Sequence, residues 1–119
     1  MTDQLRISVV GAGLMGSDHV NRIVNRIVGA SVSAIVEPDE VRAKNALVDA
    51  HDAKWFPNIE AAIEADAMDA VLIATPGQFH EPVLVPALEA GLPILCEKPL
   101  TPDVSSALRI LDHEIKAGR

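Results

Sequence analysis

The chain has 119 residues, enough for one compact domain with a single core. Ten Lys and Arg residues stand against 17 Asp and Glu residues, and the formal net charge of −7 argues against nucleic acid as a partner. The apolar runs are too short to cross a bilayer and the N-terminus lacks a signal-peptide pattern, so we expect a cytoplasmic protein with no membrane partner. Cys96 is the only cysteine, which excludes an internal disulfide or a cysteine-built metal cluster; we predict no metal.

Short continuous apolar runs alternate along the chain with segments of helical periodicity. The runs predict five strands, at 5–10, 32–36, 54–56, 70–74 and 93–96. Helices are predicted between and after them, ending at Gly29, near Ala50, at Ile63, at Gly91 and at Gly118. The alternation predicts an α/β fold, a doubly wound parallel sheet of the Rossmann type with strand order 3-2-1-4-5.

Two of the helices carry apolar stripes that we predict to face the core. The stripe of the first helix consists of Val20, Ile23, Val24, Ile27 and Val28. The stripe of the last helix consists of Val104, Ala107, Leu108, Leu111 and Ile115. Asp39 and Asn58 are predicted N-caps of the second and third helices, and Thr101, followed by Pro102, is the predicted N-cap of the last one.

A glycine motif follows the first strand directly and opens the first helix. Its six residues read Gly-Ala-Gly-Leu-Met-Gly, and this context between strand and helix is the one that a dinucleotide fingerprint requires. Gly11 would permit the tight turn, Gly13 the approach of a pyrophosphate, and Gly16 close packing of helix and strand. Free backbone N–H groups at the helix start, at Leu14 and Met15, would hold the phosphates. We predict dinucleotide binding; a purely structural turn is the alternative.

Glu37 ends the second strand, 21 residues after Gly16, where the acid that binds the adenosine ribose is expected at about 20 residues. A carboxylate there can accept hydrogen bonds from both ribose hydroxyls and repels a 2′-phosphate, so it predicts NAD rather than NADP. Arg42 leaves NADP open, because a nearby arginine can accommodate the 2′-phosphate. A solvated acid in the turn before Asp39 is the structural alternative.

The segment after the fourth strand, Thr-Pro-Gly-Gln-Phe-His, should lie over the ribose and nicotinamide half of a dinucleotide. We predict that Thr75 and Pro76 contact the cofactor. For His80 two interpretations stay open, a contact with cofactor or substrate and the bracing of a loop. The other histidines are predicted to be surface residues: His19, His51 and His113.

Glu97 and Lys98 end the fifth strand at the same rim and are also predicted to contact the cofactor. A lysine at this place can bring positive charge to a reacting hydroxyl or carbonyl, and Glu97 could tune or orient it. From the residues alone, a solvated pair of charges is the more common outcome. Cys96, immediately before them, is predicted to be a buried strand residue with an unactivated thiol.

Taken together, four segments closely resemble the glucose-fructose oxidoreductase/inositol dehydrogenase/rhizopine catabolism (Gfo/Idh/MocA) family. They are 9–16, 74–76 with His80, 87–91 and 96–100. The resemblance covers the whole chain, and the Glu-Lys-Pro segment combined with the Thr-Pro-x-x-x-His loop is more specific than the glycine motif. The segment 110–119 resembles the inositol-oxidising branch. In this family the lysine that matches Lys98 is a catalytic residue that contacts the substrate hydroxyl and assists proton transfer.

The family resemblance also implies a domain organisation. Members continue into a second α/β domain, which binds the sugar or polyol, carries a catalytic Asp and His, and forms the oligomer interface. Residues 1–119 would then be the NAD-binding domain of a longer two-domain protein, a homo-oligomeric oxidoreductase that transfers a hydride between an inositol-like polyol or sugar and NAD. Alone, the domain would be inactive and would expose a sheet edge and an apolar rim that favour self-association. A non-catalytic dinucleotide-binding or sensing module is the alternative.

Overall fold

The structure is a computed structural model that describes residues 4–118. Strands and helices alternate as β1 (Leu5–Val10), α1 (Leu14–Arg26), β2 (Ala30–Val36), α2 (Glu40–Asp49), β3 (Lys54–Phe56), α3 (Ile59–Glu64), β4 (Ala70–Ile73), α4 (Glu81–Glu89), β5 (Ile94–Cys96) and α5 (Val104–Ala117). A short 3-10 helix, Gly77–Phe79, lies between β4 and α4. None of these helices, within the described residues, combines the length and the apolar character needed to span a bilayer.

The five strands form one parallel sheet in the order β3-β2-β1-β4-β5, which confirms the predicted topology. The last residues of the strands are in register: Val10 pairs with Val36 and with Ile73, Val36 pairs with Phe56, and Ile73 pairs with Cys96. Because all strands run in one direction and end level, the loops that follow them meet along one edge of the sheet.

Helices cover both faces of the sheet and divide the core into two layers. Successive residues of a strand point to opposite faces, so Val9 packs with α1 and α2, and Val10 packs with α3, α4 and α5. Ile35 and Ile73, both inaccessible to solvent, lie one in each layer. Burial on both faces explains why the interior strand β4 is a continuous apolar run rather than an alternating one.

The predicted apolar stripe of α1 is wrong in its second half. The helix ends at Arg26, Ile27 is already extended, and Val24, Ile27 and Val28 are exposed. The chain leaves the helix early because β2 starts at Ala30, and the turn is fixed when Leu5 N donates to the Gly29 carbonyl at 2.8 Å. Pairing of β1 with β2 therefore overrides the helical periodicity.

The predicted start of α5 is also wrong. Asp103, not Thr101, is the N-cap, and Val104 is the first helical residue. The Asp103 carboxylate accepts from Ser106 N at 2.8 Å and from Ser106 Oγ at 2.7 Å. The bond from Ser106 N, and to a smaller extent the bond from the Ser106 hydroxyl, holds the pKa of Asp103 below its usual value.

The large apolar residues of α5 other than Ile110 face away from the domain, contrary to the prediction. Its buried side consists of Ser106 and Ile110. Four exposed residues on the other side form what we call the outer α5 stripe: Val104, Leu108, Leu111 and Ile115. The sheet also has an exposed edge at β5, where Leu95 is 64% exposed. The expected apolar rim is therefore present, and it extends over α5.

Candidate dinucleotide site

A crevice of about 950 Å³ lies along the edge where the strands end. Five segments of the chain line it, namely 10–11 with 13–15, 36–38 with Arg42, 57–60, 74–77 with Phe79 and the start of α4, and 97–99. Every residue predicted to contact a cofactor lines this crevice except Gly16 and His80. Among residues 4–118, no group of three or more His, Cys, Asp or Glu side chains is arranged to hold a metal ion.

The three motif glycines meet different physical demands. Gly11 has φ +95°, and a Cβ there would lie 2.8 Å from the Thr75 backbone nitrogen. A Cβ on Gly16 would collide with the carbonyl oxygen of Gly11, so Gly16 serves helix packing from behind the crevice. Gly13 has nothing within 4 Å of its Cβ position and lies on the crevice wall. A side chain at Gly11 or Gly16 would clash with the backbone, whereas Gly13 keeps space open.

The start of α1 is left free to bind an anion. Gly13 is the N-cap, no side chain caps the helix, and the first turn has no acidic residue. The first backbone N–H groups of a helix lack partners within it, and the helix dipole makes this end positive. A pyrophosphate in the open space beside Gly13 would meet these donors, including those of Leu14 and Met15.

Glu37 is only 5% exposed, so the interpretation as a solvated turn residue is wrong. Its Oε1 accepts from Ala12 N at 2.8 Å and its Oε2 from Asp39 N at 3.0 Å. The carboxylate thus ties the glycine motif to the end of β2. Each carboxylate oxygen can accept a second bond, so ribose hydroxyls can still bind to it. Arg42 also lines the crevice and is exposed.

Lys98 is exposed on the crevice wall, and within residues 4–118 it forms no ion pair. Glu97 does not form an ion pair with it among the described residues. The Glu97 carboxylate instead accepts from His19 Nε2 at 2.8 Å, in a bond that joins α1 to the end of β5. The Lys98 side chain therefore lines the crevice without a direct ion-pair partner among the described residues.

Sequence interpretation did not place His19 near the crevice, since it predicts a surface residue there. Its side chain is 21% exposed and lies against Glu97. One signal was available: His19 follows Met15 by four residues, and residues at this spacing share a helix face. Met15 was already expected at the cofactor. As predicted, His51 is exposed; His113 is half-buried.

His80 is fully buried beneath the crevice, so the structure contradicts its assignment as a cofactor contact and supports the bracing role. Its Nε2 lies 2.6 Å from the Thr75 carbonyl oxygen and its Nδ1 lies 2.8 Å from the Leu100 carbonyl oxygen. The ring thus bridges the loop after β4 and the loop after β5. The two loops also come close together: a Cβ added to Gly77 would lie 3.2 Å from Cγ of Pro99.

Cys96 lies behind the same loops, with its Sγ 3.3 Å from His80 Nδ1. Burial, and after it the negative charge of Glu97, raises the pKa of the thiol to about 11. The thiolate is therefore scarce at neutral pH, which agrees with the predicted unactivated cysteine.

The parallel sheet, the open glycine motif and the acid at the end of β2 define a Rossmann-type dinucleotide-binding domain. Residues 5–119 match the Gfo/Idh/MocA family, described as an oxidoreductase family with an NAD-binding Rossmann fold. The chain belongs to this family, which confirms the resemblance seen in the sequence, and NAD is the cofactor of its Rossmann domain.

The curated relatives have more specific names than the family, and they are longer than this chain. An inositol 2-dehydrogenase of Corynebacterium glutamicum is 67% identical over 119 residues, which are 100% of this chain and 35% of the relative. Another from Leifsonia xyli is 59% identical over 113 residues, 95% of this chain and 33% of the relative. The chain thus spans about a third of the length of these relatives.

Solved structures lead to the same family. The myo-inositol dehydrogenase of Lactobacillus casei, solved in complex with NAD(H) and myo-inositol, superposes with a TM-score of 0.90 at 33% identity over 95% of this chain and 34% of that one. The myo-inositol 2-dehydrogenase of Lactobacillus plantarum gives a TM-score of 0.88 at 29% identity, over 97% and 34% of the two chains.

Proposed function

We propose that residues 1–119 form the NAD-binding domain of a longer two-domain oxidoreductase, which transfers a hydride between a CH–OH carbon of an inositol-like polyol or sugar and NAD. The observation that carries this proposal is the placement of Lys98. It is exposed and unpaired, and it lies on the wall of the crevice that also holds the glycine motif. The high identity to an inositol 2-dehydrogenase supports inositol as the substrate class.

The crevice residues divide the binding of NAD among them. The N–H groups at the start of α1 would bind the pyrophosphate beside Gly13, and Glu37 would accept from the adenosine ribose. Thr75 and Pro76 would contact the ribose and nicotinamide half. The buried Glu37 carboxylate would repel the 2′-phosphate of NADP, so NAD is the expected cofactor in spite of Arg42.

Bound NAD supplies the hydride acceptor, C4 of the nicotinamide. Lys98 would donate a hydrogen bond to the substrate hydroxyl, orient it, and stabilise the negative charge that develops on its oxygen. An ammonium group has no lone pair and cannot take up the proton. We therefore expect the proton acceptor in the second domain, together with the wall that holds the substrate.

The isolated domain should bind NAD without turnover. Hydride transfer needs the carbinol carbon next to the nicotinamide, and a misplacement of about 1 Å can cost on the order of a hundredfold in rate. Lys98 supplies one contact from the cofactor side only. Inositol-dependent formation of NADH by residues 1–119 alone would contradict this division of labour.

The test is a chimera in which residues 1–119 replace the aligned segment of the C. glutamicum relative. We expect inositol-dependent NADH formation. Lys98→Ala should lower kcat by about a hundredfold or more while leaving NAD affinity within about twofold, because the contact forms with the reacting substrate. The matched control is Lys116→Ala. Lys116 is an exposed lysine that pairs with Asp112 on α5, and its replacement should leave kcat and NAD affinity unchanged. Near-normal kcat in Lys98→Ala would refute the proposal.

The chimera also separates the alternative function. A chimera that binds NAD normally and oxidises neither inositol nor a related polyol would favour a non-catalytic sensing module. The homo-oligomeric state remains a proposal, supported by the exposed outer α5 stripe. Cytoplasmic location remains a prediction from the sequence.

A further inference from the structure

The Glu97 carboxylate has two potential hydrogen-bond donors nearby, and in the structure it bonds to one of them. Its carboxylate accepts from His19 Nε2 at 2.8 Å, although the two residues are 78 positions apart in the chain. The neighbouring ammonium of Lys98 is left without a carboxylate partner among the described residues. The bond is partly shielded, with side chains 21% exposed at His19 and 32% at Glu97.

Hydrogen bonds on either side hold the backbone of Glu97 and Lys98 in place. Glu97 N donates to the Ile73 carbonyl at 2.9 Å, which extends the β4–β5 ladder by one residue. The Leu100 carbonyl is held 2.8 Å from His80 Nδ1. Between these anchors the chain has little freedom, and the side chains of Glu97 and Lys98 line the same crevice.

An unengaged carboxylate in this position would compete for Lys98. Opposite charges in a partly desolvated crevice attract more strongly than in water, and a charge-assisted hydrogen bond would hold the pair. A lysine so paired has its ammonium turned toward Glu97 and is no longer free for a substrate hydroxyl. His19 opposes this competition because its bond to Oε1 fixes the orientation of the Glu97 carboxylate.

We propose that His19 is a positioning residue that holds the Glu97 carboxylate away from Lys98 and so keeps the lysine free for the substrate. This role rests on the proposed function of Lys98. It makes a distinctive prediction: the defect caused by loss of His19 comes from the negative charge of Glu97, so removal of that charge should repair it. A purely structural role of the bond predicts instead that the double variant is no better than the single one.

The first experiment measures kinetics in the chimera. His19→Ala should lower kcat about tenfold and change NAD affinity by less than about threefold, and His19→Ala with Glu97→Gln should recover most of the loss. His19→Leu, which fills the ring volume without a donor, is measured in parallel so that the result does not depend on the folding of one variant. His51→Ala, an exposed histidine after α2, is the control and should match the parent.

The second experiment needs no turnover. In residues 1–119, acylation of the Lys98 amine by an amine-reactive ester is followed by mass spectrometry, with Lys116 in the same molecule as the internal standard. A carboxylate released onto Lys98 stabilises its charged, unreactive form, so His19→Ala should slow labelling by about threefold or more. The added Glu97→Gln change should restore it.

The outcomes separate the two proposals. If the unmodified chimera fails to oxidise inositol while the labelling pattern holds, the proposed function is wrong, and what stands is the effect of His19 on the Lys98 ammonium. If labelling of Lys98 is unchanged in both His19 variants, or if Glu97→Gln does not repair the kinetic or the labelling defect, the inference is overturned.

Discussion

The two halves of the crevice are built in different ways. The pyrophosphate half consists of six consecutive residues and one acid, Glu37, whose carboxylate bonds to Ala12 N. The Lys98 half is assembled from distant segments through His19, bonded to Glu97, and His80, which bridges Thr75 and Leu100. The first half depends on what the backbone tolerates locally, and the second depends on side chains that meet only after the sheet has formed.

The largest effect should come from the pair Gly16→Ala and Gly13→Ala. The new Cβ at position 16 collides with the Gly11 carbonyl, whereas the one at position 13 meets nothing within 4 Å. Gly16→Ala should cost about 3 kcal/mol or more of unfolding free energy. Gly13→Ala should fold as the parent does and lose NAD affinity. The measurements are chemical denaturation and calorimetric titration, and equal stability of the two variants would contradict the distinction.

A smaller loss of stability is expected from His80→Ala in the Lys98 half. The change leaves the Thr75 and Leu100 carbonyl groups without their partner and opens a cavity at a fully buried position. We expect a loss of about 2–3 kcal/mol in urea denaturation. His51→Ala should stay within about 0.5 kcal/mol because the residue is exposed. If His80→Ala were as mild as that control, the bracing role would be wrong.

The smallest effect should come from Asp69→Asn, at the opposite end of the strands. Asp69 accepts from Arg6 Nη2 at 3.0 Å and from Arg6 N at 2.8 Å. The bond from the guanidinium, and to a smaller extent the bond from the backbone, lowers the pKa of this carboxyl. A lowered folded-state pKa means that the stabilisation is present above the unfolded-state value, about 4, and is lost as the pH falls through the folded-state value.

The urea midpoints of the parent and Asp69→Asn should therefore differ near neutral pH and converge as the pH falls below the folded-state pKa of Asp69. NAD affinity near neutral pH should be equal in the two proteins, since Asp69 lies away from the crevice. A midpoint difference that did not depend on pH would show that the ion pair is not its source.

The same contrast explains what the sequence could predict. The N-caps Asp39 and Asn58, the strand β1 and the glycine motif depend on neighbours within a few residues, and all were located correctly. At α5 two capping residues compete. Pro102 made Thr101 the better candidate, but Asp103 gains two bonds from Ser106, which only the folded geometry shows.

Contacts between distant segments were beyond the reach of sequence patterns. Periodicity showed that α5 is amphipathic but not which side packs on α4, and the outer α5 stripe faces solvent. The pairing of His19 with Glu97 depends on the level ends of β1 and β5 relative to α1. The strand pattern predicts the place of the Lys98 loop at the rim, whereas the catalytic role of Lys98 is implied by the family resemblance, since a Glu-Lys pair by physical chemistry alone is an ordinary solvated pair.

The most direct test of the account is calorimetric titration of residues 1–119 with NAD and with NADP. The glycine motif should bind the pyrophosphate of either, and the buried Glu37 carboxylate should accept from a ribose 2′-hydroxyl and repel a 2′-phosphate. We predict that NAD binds at least about tenfold more tightly, a difference of about 1.4 kcal/mol. Equal affinities, tighter binding of NADP through Arg42, or no binding of either nucleotide would contradict the account.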